Sequence, residues 1–137
     1  MKRNASAHWE GDLKTGKGNL STASTVLSKT QYSFNTRFEN GVGTNPEELL
    51  AAAHAGCFTM AVGAALGQAG FKADSLDTVA TVTLEGVDIK DVHLVITGKV
   101  SGIEPAKFKE IAKGAEKNCI ISKALSIPIT SEATLIS

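Results

Sequence analysis

The chain has 137 residues, of which 42% are hydrophobic and 20% are charged, and its 14 basic and 14 acidic side chains leave no net charge. This length fits a single domain over residues 1–137, and this hydrophobicity excludes a disordered chain. Balanced charge without basic clusters argues against nucleic acid or an anionic membrane as the main partner. Two cysteines are too few for a disulfide-rich scaffold.

Targeting signals are not evident in the sequence, so we expect a cytoplasmic protein. Residues 1–10 are basic at the start but lack the apolar run of a signal peptide. Residues 49–70 carry almost no charge and are long enough to span a bilayer, but alanine and glycine dominate them and their flanks are acidic. This segment therefore predicts a buried core helix rather than a membrane span.

In the first forty residues, apolar and polar side chains alternate as in short strands separated by turns. The pattern predicts strands over residues 7–10 and 18–22, and a third strand over residues 32–38. Tyr32, Phe34, Thr36 and Phe38 would share one face of that third strand, with Arg37 on the other face.

A long helix is predicted to follow. Asn45 is suited to cap it, Pro46 suits its first position, and Glu47 and Glu48 complement the positive end of its dipole. The helical spacing continues to Ala64, and the helix is apolar on nearly every side. We therefore expect it to be buried on most sides, inside its own domain or against a second copy of the chain.

In the second half of the chain, apolar and polar residues first alternate as in strands and later follow helical spacing. Residues 80–85 and 92–100 are typical of an antiparallel pair of strands, and residues 127–135 predict a final strand. Between them, Pro105 begins a helix that ends near Asn118, with an apolar stripe of Phe108, Ile111, Ala112 and Ala115. This order of strands and helices indicates an α+β fold.

Cys57 lies well inside the long helix, next to Gly56. A buried cysteine is often only a small core side chain, but small neighbours would allow a reactant to approach it closely. A reactive thiolate needs a nearby cation. His54, three residues earlier, would make a Cys–His pair for acyl transfer or hydrolysis, although no orienting carboxylate is evident. Arg37 is the better candidate because its charge does not titrate, unless it is only a solvated arginine at a strand edge.

Cys119 lies at the end of the second helix, far from Cys57 in sequence. Without a Cys-X-X-Cys motif, a zinc site or a thioredoxin-type centre is poorly supported. Two separated thiols fit a cycle in which one becomes a sulfenic acid and the other resolves it as a disulfide. Two unrelated core cysteines would have the same spacing, so both interpretations stay open from the residues alone.

Several motifs, in order along the chain, resemble the OsmC/Ohr family and most closely its OsmC branch. They are HWEGD at 8–12, GKG at 16–18, FNTRF at 34–38, GTNPEEL at 43–49, AAHAGCF at 52–58 and NC at 118–119. The resemblance covers essentially the whole chain. It implies antiparallel sheets around a long central helix plus a second helix, in an intertwined homodimer with sites at the subunit interface.

The resemblance also implies a thiol-dependent peroxidase that reduces alkyl or fatty-acyl hydroperoxides to alcohols. Cys57 would be the peroxidatic thiol, and Cys119 would close an intramolecular disulfide with it. Arg37 would stabilise the thiolate and polarise the peroxide, and Glu47 would hold Arg37 in place. The family needs no metal or haem, and its reductant is an external dithiol such as a lipoyl group or a lipoylated protein. Ile120 departs from the family pattern, which commonly has proline after the second cysteine.

Helix geometry, independently of the resemblance, bears on whether one chain can supply the whole site. Glu47 and Cys57 are separated by ~15 Å of rise and ~80° of rotation on one helix, so their side chains cannot touch. If Glu47, Arg37 and Cys57 act together, Arg37 must bridge this gap or a second subunit must supply part of the site.

The residues alone leave the role of the aromatic side chains and the enzymatic activity undecided. The side chains of Phe34, Phe38, Phe58 and Met60 either line an apolar substrate pocket or simply fill the core. The main alternative to a peroxidase is a non-enzymatic stress-response protein that binds a small apolar ligand in the same cleft.

Overall fold

The computed structural model describes residues 1–136, which fall into two compact units that divide after Leu49. In the first unit, β1 (Ala5–Glu10), β2 (Lys17–Thr22) and β3 (Thr30–Tyr32) form an antiparallel sheet in that order. Helix α1 (Phe34–Phe38) follows, and α2 (Pro46–Gln68) begins in this unit and continues into the second. The organisation as one domain stays a prediction.

The second unit holds the larger sheet. β4 (Ala73–Glu85) and β5 (Asp88–Val100) form an antiparallel hairpin, and Gly86 at its turn has a φ of +61°, which glycine adopts without strain. Helices α3 (Pro105–Asn118) and α4 (Ile120–Ala124) then lead to β6 (Ile129–Leu135), which completes the order β4-β5-β6. The predicted α+β class is confirmed.

One strand pair corrects the expectation of antiparallel sheets. β6 runs parallel to β5, with Val92 opposite Ile129 and Gly98 opposite Leu135. The chain passes from β5 to β6 through two helices. A crossover of this kind returns the chain to the end of the sheet at which β5 begins, so the next strand runs parallel to β5. The alternation in residues 127–135 indicates a strand but carries no information on its direction.

The predicted third strand is wrong beyond Tyr32, because residues 34–38 form α1. Ser33 caps this helix: its Oγ accepts from the N–H of Thr36 at 3.3 Å, and Thr36 Oγ1 accepts from the N–H of Ser33 at 2.8 Å. This reciprocal capping box starts a helix where alternation indicated a strand. Phe34 and Phe38 are one turn apart with ring centroids 5.0 Å apart, so the spacing also fits a helix.

The long helix forms as predicted, with Pro46 as its first residue and Asn45 Oδ1 accepting from the N–H of Glu48 at 2.8 Å. In the second unit, one face of α2 is buried in the core, whereas the opposite face is exposed and includes Met60 at 78% exposure. Burial on most sides is therefore not achieved within one chain. The buried core comprises Phe58, Val62, Leu66, Val92, Leu94, Ile96, Val100, Ile103, Phe108, Ala112, Ala115 and Cys119. By length and composition alone α2 could cross a membrane, a test that core helices of soluble proteins also pass.

Candidate active site

An ion pair in the first unit joins the last turn of α1 to the first turn of α2. Arg37 Nε donates to Glu47 Oε1 at 2.9 Å, and the side chains are 45% and 10% exposed, respectively. The helix N-terminus favours the Glu47 carboxylate. A guanidinium has five N–H donors, so this bond fixes Arg37 while using only one of them. The structure thus brings together the two residues that the resemblance paired.

Both cysteines are free thiols in the second unit, and both contact the first turn of α4. Cys57, on α2, is half-buried, and its Sγ accepts from the N–H of Ile121 at 3.5 Å. Cys119 is only 2% exposed and is the N-cap of α4: its Sγ accepts from the N–H of Ser122 at 3.3 Å. The two sulfurs therefore bind the backbone amides of adjacent residues.

His54 is connected to the second cysteine rather than to the first. Its Nε2 lies 2.8 Å from Ser122 Oγ, and that same oxygen accepts from the Cys119 thiol at 3.1 Å. His54 is fully buried, and this burial lowers the pKa of the imidazole because desolvation penalises its charged form. A Cys57–His54 pair, which the helical spacing allowed, is not among the hydrogen bonds of residues 1–136.

Ser122 is the site residue that sequence reasoning missed. It follows Cys119 at the spacing between an N-cap and the third helical residue, which is the one local signal for it. That spacing suggests only a helix start, and the link to His54 joins residues that are distant in sequence. The sequence alone therefore gave no reason to place Ser122 in the site.

The aromatic side chains near the motifs differ in exposure: Phe58 is buried, whereas Phe38 is exposed. Phe58 is fully buried in the core of the second unit, so for this residue the core-filling interpretation is correct. In the first unit, the Arg37 guanidinium lies over the Phe38 ring, 5.4 Å from the ring centroid. A guanidinium over an aromatic face gains a weak electrostatic attraction, which adds to the restraint that Glu47 places on Arg37.

Ile120, which stands where the family commonly has proline, is the first residue of α4 and is 74% exposed. Cys119 before it has a ψ of 146°, the extended conformation that a residue preceding proline prefers. The hydrogen bonds between Cys119 and Ser122 hold the cysteine in the absence of a proline ring. We therefore expect Cys119 to be well positioned despite this departure.

Comparison with known proteins shows the family of this chain. Residues 38–133 match the family model described as OsmC-like protein. The whole chain is 47% identical to Peroxiredoxin OsmC of Escherichia coli strain K12 and covers 99% of that protein. The chain belongs to the OsmC family. The resemblance inferred from the motifs is confirmed, and the matched range contains Glu47, Cys57 and Cys119 and begins one residue after Arg37.

Solved structures extend the OsmC likeness to the fold. An OsmC-like protein from Mycoplasma pneumoniae has a TM-score of 0.75 at 14% identity, with 100% of this chain and 99% of that chain covered. The organic hydroperoxide resistance protein OhrB of Bacillus subtilis has a TM-score of 0.67 at 22% identity, with 97% and 98% covered. At these identities the comparison establishes a shared fold.

Proposed function

We propose that this protein reduces organic hydroperoxides by a two-cysteine cycle in which Cys57 reacts with the peroxide and Cys119 resolves the product. The full-length match to a peroxiredoxin of the same family confirms the broader prediction of a cysteine peroxidase that acts on organic hydroperoxides. Peroxiredoxins generally need no prosthetic cofactor. The observation that carries the finer proposal is that two free thiols bind adjacent amides in one helical turn.

Exposure supports Cys57 as the peroxidatic residue. Cys57 is half-buried, whereas Cys119 is almost fully buried, so a peroxide reaches the first sulfur more easily. The N–H of Ile121 points at Cys57 Sγ and stabilises negative charge there. The thiolate attacks the terminal peroxide oxygen, the O–O bond breaks, and Cys57 becomes a sulfenic acid, while the leaving alkoxide takes a proton from solvent and departs as the alcohol.

Arg37 is the cation that we assign to this step, with Glu47 as its positioning residue. The guanidinium would donate to the thiolate and to the peroxide oxygen on which charge develops. The bond from Arg37 Nε to Glu47 Oε1 supports this role because it holds the guanidinium in one orientation. The half-exposed side chain remains accessible to a substrate.

We also propose that the protein is a homodimer with shared sites. The support lies in the exposed apolar face of α2, which includes Met60, and in an adjoining cleft of about 370 Å³. Small side chains line much of this cleft, among them Ala61, Ala64, Ala65 and Gly114. An exposed apolar helix face is typical of an interface, and a second copy of α2 would cover it. A chain that stays monomeric by sedimentation at micromolar concentration and still reduces peroxide would contradict this proposal.

The cycle closes when an external dithiol reduces the Cys57–Cys119 disulfide. We assign a lipoyl-type dithiol, free or on a lipoylated protein, as this reductant. We also propose that the protein is cytoplasmic. The more exposed sulfur of Cys57 is where the reductant would attack, which releases Cys119 as a thiol. The second thiol of the reductant then displaces Cys57 and forms a cyclic disulfide.

The test is the intact mass and free-thiol count after one equivalent of cumene hydroperoxide. The wild type should lose two thiols and two hydrogens, Cys119→Ser should hold a trappable sulfenic acid, and Cys57→Ser should not react. Unchanged thiols in all three proteins would overturn the cycle and favour the non-enzymatic protein that binds a small apolar ligand.

A further inference from the structure

We infer that Ser122 and His54 form a proton path for Cys119, with Ser122 as a catalytic residue of disulfide formation and His54 as its positioning residue. This inference rests on the proposed two-cysteine cycle and deepens its second step. The path runs from Cys119 Sγ to Ser122 Oγ over 3.1 Å and from that oxygen to His54 Nε2 over 2.8 Å.

The surroundings of this path favour internal proton transfer. Cys119, Ser122 and His54 are all buried, so bulk water is a poor acceptor for the Cys119 proton. A thiol becomes a nucleophile only when it loses its proton, and a buried thiol needs an acceptor inside the protein. His54 is that acceptor because its Nε2 lies 2.8 Å from Ser122 Oγ, and burial keeps the imidazole neutral before the transfer and makes the imidazolium short-lived.

The hydrogen-bond pattern is compatible with transfer from Cys119 towards His54. The Cys119 thiol donates to Ser122 Oγ, so the serine hydroxyl has its own hydrogen to donate onward. Donation to His54 Nε2 requires the tautomer with hydrogen on Nδ1. Nδ1 is buried and has no hydrogen-bond partner within residues 1–136. A purely packing role would be met at lower free energy by an apolar side chain, which leaves no buried nitrogen unpaired.

Disulfide formation consumes the Cys57 sulfenic acid and the Cys119 thiol. The Cys119 proton passes to Ser122 Oγ while the serine proton passes to His54 Nε2. The Cys119 sulfur attacks the Cys57 sulfur, the S–O bond breaks, and the leaving hydroxide takes up the proton that His54 received, so water forms and His54 is neutral again. Cys119 is oxidised, the Cys57 sulfenic acid is reduced, and one disulfide and one water form.

The experiment measures two rates in a single turnover with cumene hydroperoxide: sulfenic acid formation at Cys57 and disulfide formation. In Ser122→Ala and His54→Gln, we expect disulfide formation to slow about 100-fold, the usual contribution of a positioned acid–base group. Sulfenic acid formation should stay within about twofold, which also shows that the variants are folded. His8→Gln, at an exposed histidine, is the matched control.

The pH profile separates proton transfer from a structural role. Without the path, solvent must remove the Cys119 proton, so disulfide formation in His54→Gln should accelerate steeply with pH and approach the wild-type rate. Equal losses in both rates, or unchanged disulfide formation in both variants, would overturn the inference. Absence of sulfenic acid in Cys119→Ser would instead contradict the proposed cycle itself.

Discussion

The helices α1 and α4 are each five residues long, and each begins with the same device. A side chain at the N-cap accepts a hydrogen bond from the amide three residues later: Ser33 accepts from Thr36, and Cys119 accepts from Ser122. Each helix also carries a polar residue to which we assign a part in the proposed chemistry, Arg37 on α1 and Ser122 on α4. The difference is the atom that caps, a hydroxyl oxygen in one helix and a thiol sulfur in the other.

Because of this difference, we expect the two helix caps to behave differently during turnover. The Ser33 cap takes no part in redox chemistry, so Arg37 should keep its position in both oxidised and reduced protein. The Cys119 cap uses the sulfur that forms the proposed disulfide, so the first turn of α4 loses an acceptor whenever the bond closes. A five-residue helix has little stability of its own, and we therefore expect α4 to loosen on oxidation.

The largest effect should come from removing the charge on α1. Arg37→Met keeps much of the side-chain length but supplies no donor to the thiolate or the peroxide. We expect sulfenic acid formation at Cys57 to slow about 100-fold, as when one electrostatic donor is removed from an active site. Stopped-flow measurement of the first turnover would give this rate.

Arg37→Lys is the matched control for that change. It keeps the positive charge but loses the planar fork that Glu47 orients, so its rate should lie between those of Arg37→Met and the wild type. The subsequent disulfide formation should be the same in all three proteins. A wild-type rate of sulfenic acid formation in Arg37→Met would remove α1 from the site.

A smaller effect is expected from the hydroxyl cap itself. Ser33→Ala removes the acceptor for the Thr36 amide and should lower the free energy of unfolding by about 1 kcal/mol. Urea denaturation would measure it, with Ser6→Ala on the exposed face of β1 as the control. Peroxide reduction should fall far less than in Arg37→Met, because the bond to Glu47 still holds the guanidinium. A loss as large as that of Arg37→Met would make the cap, rather than the ion pair, the feature that positions Arg37.

The two short helices also show how far sequence reasoning reaches. The start of α2 was predictable because its signals are local: Asn45 and Pro46 stand at the positions their chemistry favours. The sequence predicts a strand in place of α1 because the aromatic spacing of this segment fits both the strand and the helix period. Its capping box also uses Thr36 where glutamate or glutamine is usual.

The candidate site was likewise predictable only in part. Arg37, Glu47, Cys57 and Cys119 could be named from the resemblance, and the structure pairs the first two directly. The contact between His54 and Ser122 could not be predicted, because it joins α2 to α4 and no local pattern encodes it. The parallel direction of β6 was unpredictable for a similar reason, since it depends on the path of the whole crossover.

The smallest expected effect concerns the first residue of the thiol-capped helix. Ile120→Pro should raise the free energy of unfolding of the reduced protein by about 0.5 kcal/mol, mainly by restricting the unfolded chain. The site accepts proline because Cys119 is already extended and the first helical N–H has no acceptor within an α-helix. Urea denaturation under excess dithiothreitol would measure the change, with Ile120→Ala to account for the lost side chain. Destabilisation by proline alone would mean that the first turn of α4 needs the freedom of Ile120, and that the thiol cap alone cannot hold the helix.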